Sequence, residues 1–246
     1  MTAPYFWALL LARGDFFPNF AEKLIKMARR KEMKKAAYRE LPNCFAQPDH
    51  LAGKWDTVFG NDHPITFELG CGKAAFSYEM ARRHPERNFV GVDLKMDRMW
   101  KPATQALDEG LTNLAFLFSH LMQLPDKIAP SEADELWITF PDPYPKNKQA
   151  KHRMLNPPFL RQYQRVLRPE GHIHYKTDNL ELFHFSLEVF VREGTLRFHE
   201  LTFDLHADER IHPDVKIQTD YERQFIEMGK PINYVCLSFA ASRAEG

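Results

Sequence analysis

The chain has 246 residues, of which 44% are hydrophobic and 27% charged, so it can bury a sizeable core as one domain, or as one domain with an added segment. Its formal net charge of +0 argues against a protein that coats nucleic acid by bulk attraction. The cysteines Cys44, Cys71 and Cys236 are odd in number and lack metal-ligand spacing, which argues against a disulfide framework or a metal site and favours a reducing cytoplasm.

Residues 1–50 are predicted to form an N-terminal extension that precedes a domain of residues 51–246. The apolar run from Pro4 to Ala12 is far shorter than a membrane span of about 20 residues, and no secretory cleavage pattern follows it. Between Glu22 and Glu40 there are eight Lys or Arg residues against three acidic ones. This basic segment is either a solvated helix or an arm that grips nucleic acid.

A regular alternation of strand and helix patterns begins at Ile65. It predicts a parallel sheet with helices on both faces. In such sheets the ligand lies beyond the carboxyl ends of the strands, so the residues just after each strand are the candidates for a site. Predicted strands cover 65–69, 88–92, 114–118, 135–140 and 171–176, and predicted helices cover 74–84, 96–109, 159–167 and a segment from about Leu180.

The turn after the first strand carries Glu68, Gly70 and Gly72. Two glycines let the backbone turn sharply and approach a ligand at the start of a helix. With Ala75 the spacing also satisfies the fingerprint of dinucleotide-binding proteins, so a nicotinamide dehydrogenase is a rival interpretation. A carboxylate beside the turn would repel a pyrophosphate but suits a cofactor with an ammonium and a sulfonium. Asp93 ends the second strand and is either a ribose-binding acid or a helix cap.

A proline-rich loop follows the fourth strand, with the sequence Phe-Pro-Asp-Pro-Tyr-Pro-Lys at 140–146. Three prolines around Asp142 predict a stiff backbone in which this carboxylate has a functional position. Basic side chains follow on the same rim and are candidates for contacts with phosphates, namely Lys146, Lys148, Lys151 and Arg153.

Four segments, in this order, resemble motifs of the bacterial tRNA (guanine-N7)-methyltransferase family. They are Gly-Lys-Trp-Asp-Thr-Val-Phe-Gly-Asn-Asp at 53–62, the loop at 140–146, Lys-Thr-Asp-Asn at 176–179 and Thr-Asp-Tyr-Glu at 219–222. The acidic strand end followed by Gly-x-Gly also resembles motif I of Rossmann-like methyltransferases. The likeness runs from about Leu51 to Phe239.

The resemblance implies a Rossmann-like class I methyltransferase fold of the α/β class, with a mostly parallel seven-stranded sheet and an antiparallel C-terminal strand. It implies S-adenosylmethionine as cofactor, tRNA as substrate, guanosine 46 of the variable loop as acceptor, and a monomer or homodimer. Carried over by position, it assigns Glu68, Gly70, Gly72, Asp93 and Asp142 to cofactor binding and Asp142 also to catalysis. The substrate residues implied are Lys146, Asp178, Thr219, Asp220, Tyr221 and Glu222.

The sequence departs from the family pattern at three positions. Ala74 stands where the family usually has glycine, and Tyr144 where tryptophan is common. Ser119-His120 replaces the Asp-Ala that often ends the third strand, so we expect His120 to contact the adenine in place of a carboxylate.

These departures leave a second interpretation open, a methyltransferase that acts on another RNA or on a small molecule. A non-catalytic RNA-binding module is a further alternative, although such a module need not keep Glu68, Asp93 and Asp142 together.

Overall fold

The computed structural model of the chain describes residues 18–46 and 51–240. Within these ranges the strands are Cys44–Phe45 (β1), Ile65–Leu69 (β2), Asn88–Asp93 (β3), Leu114–Phe118 (β4), Ala133–Thr139 (β5), Leu167–Thr177 (β6), Leu196–Thr202 (β7) and Asn233–Phe239 (β8). The helices are Pro18–Glu40 (α1), Trp55–Phe59 (α2), Ala75–Arg83 (α3), Met96–Asp108 (α4), Pro157–Val166 (α5), Leu180–Glu193 (α6) and Asp220–Glu227 (α7). Short 3-10 helices cover Leu121–Asp126, Asn147–His152 and Pro213–Lys216.

The strands form one sheet in the order β1-β4-β3-β2-β5-β6-β8-β7. The pairs from β1 to β6 are parallel, and β8 runs antiparallel between β6 and β7. All five residues of β2 are buried, as expected of a central strand covered on both faces. The predicted α/β fold with an antiparallel C-terminal strand is therefore confirmed.

The sheet has eight strands where seven were expected, because the N-terminal segment adds β1 at the edge. Cys44 pairs with Phe116 of β4, and the buried Tyr38 hydroxyl donates to the Phe116 carbonyl oxygen at 2.8 Å. The Asn43 side-chain amide donates to the carbonyl of Ala103 in α4 at 3.0 Å. The end of the predicted extension is thus packed against the sheet layer, whereas the part before residue 18 lies outside the described residues.

Two apolar cores cover the two faces of the sheet. One contains Tyr38 of α1, Phe76 of α3, Met99 of α4 and Val215. The other contains Trp55 of α2, with Phe159, Leu160 and Tyr163 of α5 and Leu182 and Phe183 of α6. This layering holds the carboxyl ends of β2 to β6 along one edge. Within the described part of the chain, every helix falls short of the length or the apolar character needed to cross a lipid bilayer.

Candidate active site at the carboxyl edge of the sheet

The turn after β2 folds back onto the end of β3. The amide N–H groups of Gly70 and Cys71 both donate to the Val92 carbonyl, at 2.8 and 3.0 Å. Gly70 and Gly72 have φ of 73° and 58°, the left-handed region that favours glycine. Ala74 also takes this conformation, with φ of 50°, although it carries a Cβ. The backbone thus keeps the left-handed geometry at the position where the family usually has glycine.

A third glycine, Gly91 of β3, makes this close packing possible. A Cβ at this position would lie 3.0 Å from the Cys71 sulfur and 3.4 Å from the Ala74 Cβ. The turn therefore rests directly on the backbone of β3. Burial raises the pKa of the Cys71 thiol well above its ordinary value, which keeps it protonated and suits a packing residue.

Asp93 is locked in place at the end of β3. Its Oδ2 accepts a hydrogen bond of 2.8 Å from the Gly72 amide, so the carboxylate and the glycine turn are held as one unit. Oδ1 makes no hydrogen bond to the residues that the structure describes. It is an acceptor available to a ligand at the start of α4.

Glu68 lies beneath the turn, with only 1% of its surface exposed. Its Oε2 accepts from the amide and hydroxyl of Ser77, in the first turn of α3, at 3.2 and 2.6 Å. Its Oε1 accepts from the Thr139 hydroxyl at the end of β5 at 2.8 Å. Burial raises the pKa of the Glu68 carboxyl, and these hydrogen bonds oppose the rise. In this structure Glu68 joins β2, α3 and β5 below the candidate site.

His120 follows β4 and caps the 3-10 helix that begins at Leu121. Its Nδ1 accepts from the Met122 amide at 3.1 Å, and the residue is exposed. The neighbouring Ser119 is buried, and its hydroxyl donates to the His120 carbonyl at 3.2 Å. His120 thus stands at the sheet edge where the family carboxylate would be.

The proline-rich loop after β5 is held at both ends. Phe140 has φ of 51°, its amide donates to the Lys176 carbonyl at 2.9 Å, and its ring packs on Phe225 of α7. Arg153 donates to the carbonyls of Pro143 and Tyr144, both at 3.2 Å, and its guanidinium lies 4.2 Å from the centre of the Phe185 ring. Asp142 and Lys146 are exposed on this braced loop.

Asp178 follows β6 on the same edge. Its carboxylate pairs with Lys230 at 3.2 Å, and 17% of the Asp178 side chain is exposed, against 50% of the Lys230 side chain. The ammonium of Lys230 also lies 5.0 Å from the centre of the Phe225 ring. Asp178 is therefore accessible from solvent but already carries a partner.

The predicted substrate motif at 219–222 divides into two buried and two exposed residues. Thr219 and Glu222 form a capping box at the start of α7, and Glu222 is 0% exposed. Asp220 and Tyr221 are exposed, at 51% for the Asp220 side chain and 55% for the Tyr221 residue. In this conformation only Asp220 and Tyr221 present side chains to a substrate.

A buried ion pair that the sequence interpretation did not single out anchors this motif. The Lys176 ammonium donates to Glu222 at 2.9 Å and to the carbonyls of Val215 and Ile217, both at 3.0 Å. Burial lowers the pKa of Lys176, and the charge of Glu222 opposes that change. His206 also contacts Glu222, at 2.9 Å. The sequence signals for this network were the Lys-Thr-Asp-Asn element that contains Lys176 and the Thr-Asp-Tyr-Glu element that contains Glu222, but neither indicated that the two residues pair.

Several features of the edge fit an adenosine cofactor with a charged tail. The glycine turn leaves open space beside Gly72, where no atom lies within 4 Å of an added Cβ. The free oxygen of Asp93 and the first amides of α3 lie beside this turn. No cluster of three or more His, Cys, Asp or Glu side chains that could hold a metal ion occurs within residues 18–46 and 51–240.

Comparison with known proteins gives a consistent result. A family model described as "Putative methyltransferase" matches residues 62–235. A tRNA (guanine-N(7)-)-methyltransferase from Christiangramia forsetii is 43% identical over 190 residues, which are 75% of this chain and 83% of the relative. One from Cytophaga hutchinsonii is 37% identical over 220 residues, which are 87% of this chain and 99% of the relative.

Solved structures support the fold at low sequence identity. The 16S rRNA methyltransferase KamB superposes with a TM-score of 0.59 at 16% identity, over 76% of this chain and 93% of that one. A variant of the 16S rRNA (adenine(1408)-N(1))-methyltransferase from Catenulisporales acidiphilia, solved with its cosubstrate SAM, gives 0.57 at 19% identity, over 78% and 93% of the two chains. The fold is that of the class I methyltransferases.

Proposed function

Because the chain belongs to the tRNA (guanine-N7)-methyltransferase family, we propose that it transfers a methyl group from S-adenosylmethionine to N7 of guanosine 46 in tRNA. The observation that carries the proposal is the shared edge of the sheet. Asp93 and the glycine turn lie on it as one unit, and Asp142 stands exposed on a braced loop of the same edge.

The cofactor would lie against the turn at Gly70 and Gly72. The free oxygen of Asp93 is positioned to accept from ribose hydroxyls, and His120 stands on the side where the adenine would lie. Glu68 acts from below, since its hydrogen bonds to Ser77 and Thr139 hold α3 and β5 around the turn. When bound, S-adenosylmethionine supplies an electrophilic methyl group on a positively charged sulfur.

Guanine N7 carries a lone pair and no proton, so its attack needs no general base. The main task of the protein is then to align the base, which by itself can accelerate a reaction greatly. The purine gains positive charge during transfer, and a carboxylate held beside the ring stabilises that charge. Asp142 and Asp178 are the carboxylates proposed for this role, and both can also accept from guanine N1–H and N2–H.

Asp142 is proposed as the catalytic residue because its position is fixed by the backbone. Arg153 holds the two carbonyls that follow it, and the Phe140 amide ties the start of the loop to β6. An exposed carboxylate on a stiff loop is available to a substrate without a large loss of conformational entropy. Lys146, Asp220 and Tyr221 on the same rim are proposed to contact the nucleotides around the target base.

A guanine in folded tRNA has to be turned out before N7 can reach the methyl group. Unstacking costs a few kcal/mol, which contacts in the pocket and phosphate contacts from Lys146 would offset. Binding that depends on phosphate contacts is sensitive to salt, so we expect tRNA affinity to fall between low and moderate salt.

The test is methyl transfer from labelled S-adenosylmethionine to tRNA that lacks 7-methylguanosine, followed by digestion and identification of the labelled nucleoside. The proposal predicts label in 7-methylguanosine, with a large loss of kcat in Asp142→Asn. Asp62→Asn is the matched control, since Asp62 is an exposed carboxylate that precedes β2 at the opposite edge of the sheet. Label in another nucleoside, or equal loss in the two variants, would overturn the proposal.

A further inference from the structure

A groove of about 950 Å³ lies between α3 and α4, beside the candidate site. The segment from Pro213 to Arg223 closes one side of it, and Lys34 of α1 reaches its border. Seven Lys or Arg residues and three acidic residues line the groove, although the whole chain has a net charge of +0. This surface is therefore more basic than the chain as a whole.

Four of these seven cations make no ion pair within the described residues, but Lys34 lies 5.5 Å from the centre of the Trp100 ring and Lys216 donates to a backbone carbonyl, which leaves two without a partner of either kind. Arg98 and Lys101 are exposed on the first two turns of α4, and no carboxylate lies within ion-pair distance of either. By contrast, Arg223 pairs with Asp220 at 2.5 Å, and Lys216 donates to the Asp208 carbonyl at 2.8 Å. Arg98 and Lys101 thus have charges available for a ligand.

The groove is continuous with the candidate site. Lys73, in the glycine turn, lies 3.7 Å from Asp220 at one end of the groove, where the exposed part of the 219–222 motif begins. From there the groove follows α3 from Ala75 to Arg83, a length of about 12 Å at the rise of an α-helix. Nucleic acid strands carry one phosphate per about 3.4 Å of helix axis, so this length matches roughly three or four phosphates.

We propose that this groove binds the sugar-phosphate backbone of the RNA substrate on one side of the target nucleotide. The inference rests on the proposed function, because it assigns the groove to the same RNA. The spacing of several exposed cations along an open channel suits a chain of phosphates better than a single small anion, which needs donors converging on one point. The groove would act together with Lys146, which lies on the loop after β5, so that the strand is held on both sides of the site.

The test compares two double variants that remove the same charge. Arg98→Gln with Lys101→Gln neutralises the groove and keeps good helix-forming side chains on α4. Arg161→Gln with Arg165→Gln is the matched control, since both arginines are exposed on α5, which covers the other face of the sheet, and neither has an ion pair in the described part of the chain. The dissociation constant for unmodified tRNA is measured between about 0.05 and 0.2 M salt, together with the affinity for S-adenosylmethionine.

Loss of two phosphate contacts makes the negative slope of log K against log salt shallower by about 1.4 to 1.8. If the variant and the original chain bind tRNA equally at about 1 M salt, the variant then binds roughly 10- to 30-fold more weakly at about 0.15 M salt. We expect this change in the α4 double variant and an unchanged tRNA affinity in the α5 control. The affinity for S-adenosylmethionine should stay within about twofold of the original in both variants, well below the change expected for lost phosphate contacts. An unchanged tRNA slope in the α4 variant, or an equal change in the control, would overturn the inference. If the unaltered chain methylates guanine N7 while the groove variant binds normally, only the groove inference fails; if the unaltered chain transfers no methyl group to tRNA, the proposed function fails.

Discussion

The buried pair of Lys176 and Glu222 gives the sharpest prediction about stability. Lys176→Met removes the ammonium and leaves the Glu222 carboxylate buried at 0% exposure, together with two carbonyls that lose their donor. Breaking a buried ion pair by removing one partner costs about 3–5 kcal/mol. For a chain of this size, about 2–4 °C per kcal/mol gives a fall in Tm of roughly 6–20 °C.

A double-mutant cycle in urea separates the pair from its surroundings. Replacing both partners, as Lys176→Met with Glu222→Met, removes both buried charges, so the double variant should lose less than the sum of the single variants, by about 2–3 kcal/mol. Lys26→Met is the control, because its pair with Glu22 is exposed at 73% and 62% and is worth less than about 1 kcal/mol. Additive single effects, or a Lys176→Met cost as small as that of the control, would refute the reasoning.

Three further predictions follow from the site and the sheet. Gly91→Ala should destabilise the chain by about 1–2 kcal/mol and weaken binding of S-adenosylmethionine, since the new Cβ would lie 3.0 Å from the Cys71 sulfur. Adding Cys71→Ala should restore the stability, measured by urea unfolding, and the cofactor affinity, measured by titration calorimetry. A double variant no better than the single one would count against this reasoning. Arg153→Gln should lower kcat by about 10- to 100-fold through misplacement of the loop with cofactor affinity unchanged, and a kcat close to the original would show that the brace is not needed. Burial lowers the pKa of His174 from 6.5 to about 4, so below pH 6.5 the unfolded chain binds a proton that the folded chain does not. The free energy of unfolding should therefore fall by about 2–3 kcal/mol as the pH drops from 6.5 to 4. His174→Gln should flatten this part of the pH profile of the free energy of unfolding in urea, and an equally steep profile would contradict the assignment.

The central strands were predictable because each is a short apolar run between turn residues. The sequence patterns at 65–69 and 114–118 match β2 and β4 residue for residue. β1 was missed because it has two residues and owes its existence to pairing with β4. β6 begins at Leu167, four residues before the predicted start, because Leu167 pairs with Ala133 of β5. Residues 168–170 are exposed and lie in the register shift between this pair and the next one at His172, so they give no strand pattern.

The candidate site was predictable where the backbone conformation favours a particular residue type, as a positive φ favours glycine. Gly70 and Gly72 follow a strand and precede a helix, and the structure gives both a positive φ. The burial of Glu222 was not predictable, since its partner Lys176 is 46 residues away and the pair exists only when β6 and α7 meet. Glu68 was expected to face the cofactor, and its contacts with Ser77 and Thr139 depend on the packing of α3 and β5.

The position of the methyl group in tRNA tests the central claim most directly. Methylation at N7 weakens the glycosidic bond of guanosine. Borohydride reduction therefore leads to loss of the methylated base, and aniline then cleaves the strand at that nucleotide. After reaction with S-adenosylmethionine, we predict a single new cleavage at nucleotide 46, which is absent when adenosine replaces guanosine there. Cleavage at another guanine, or methyl transfer without any cleavage, would contradict the account.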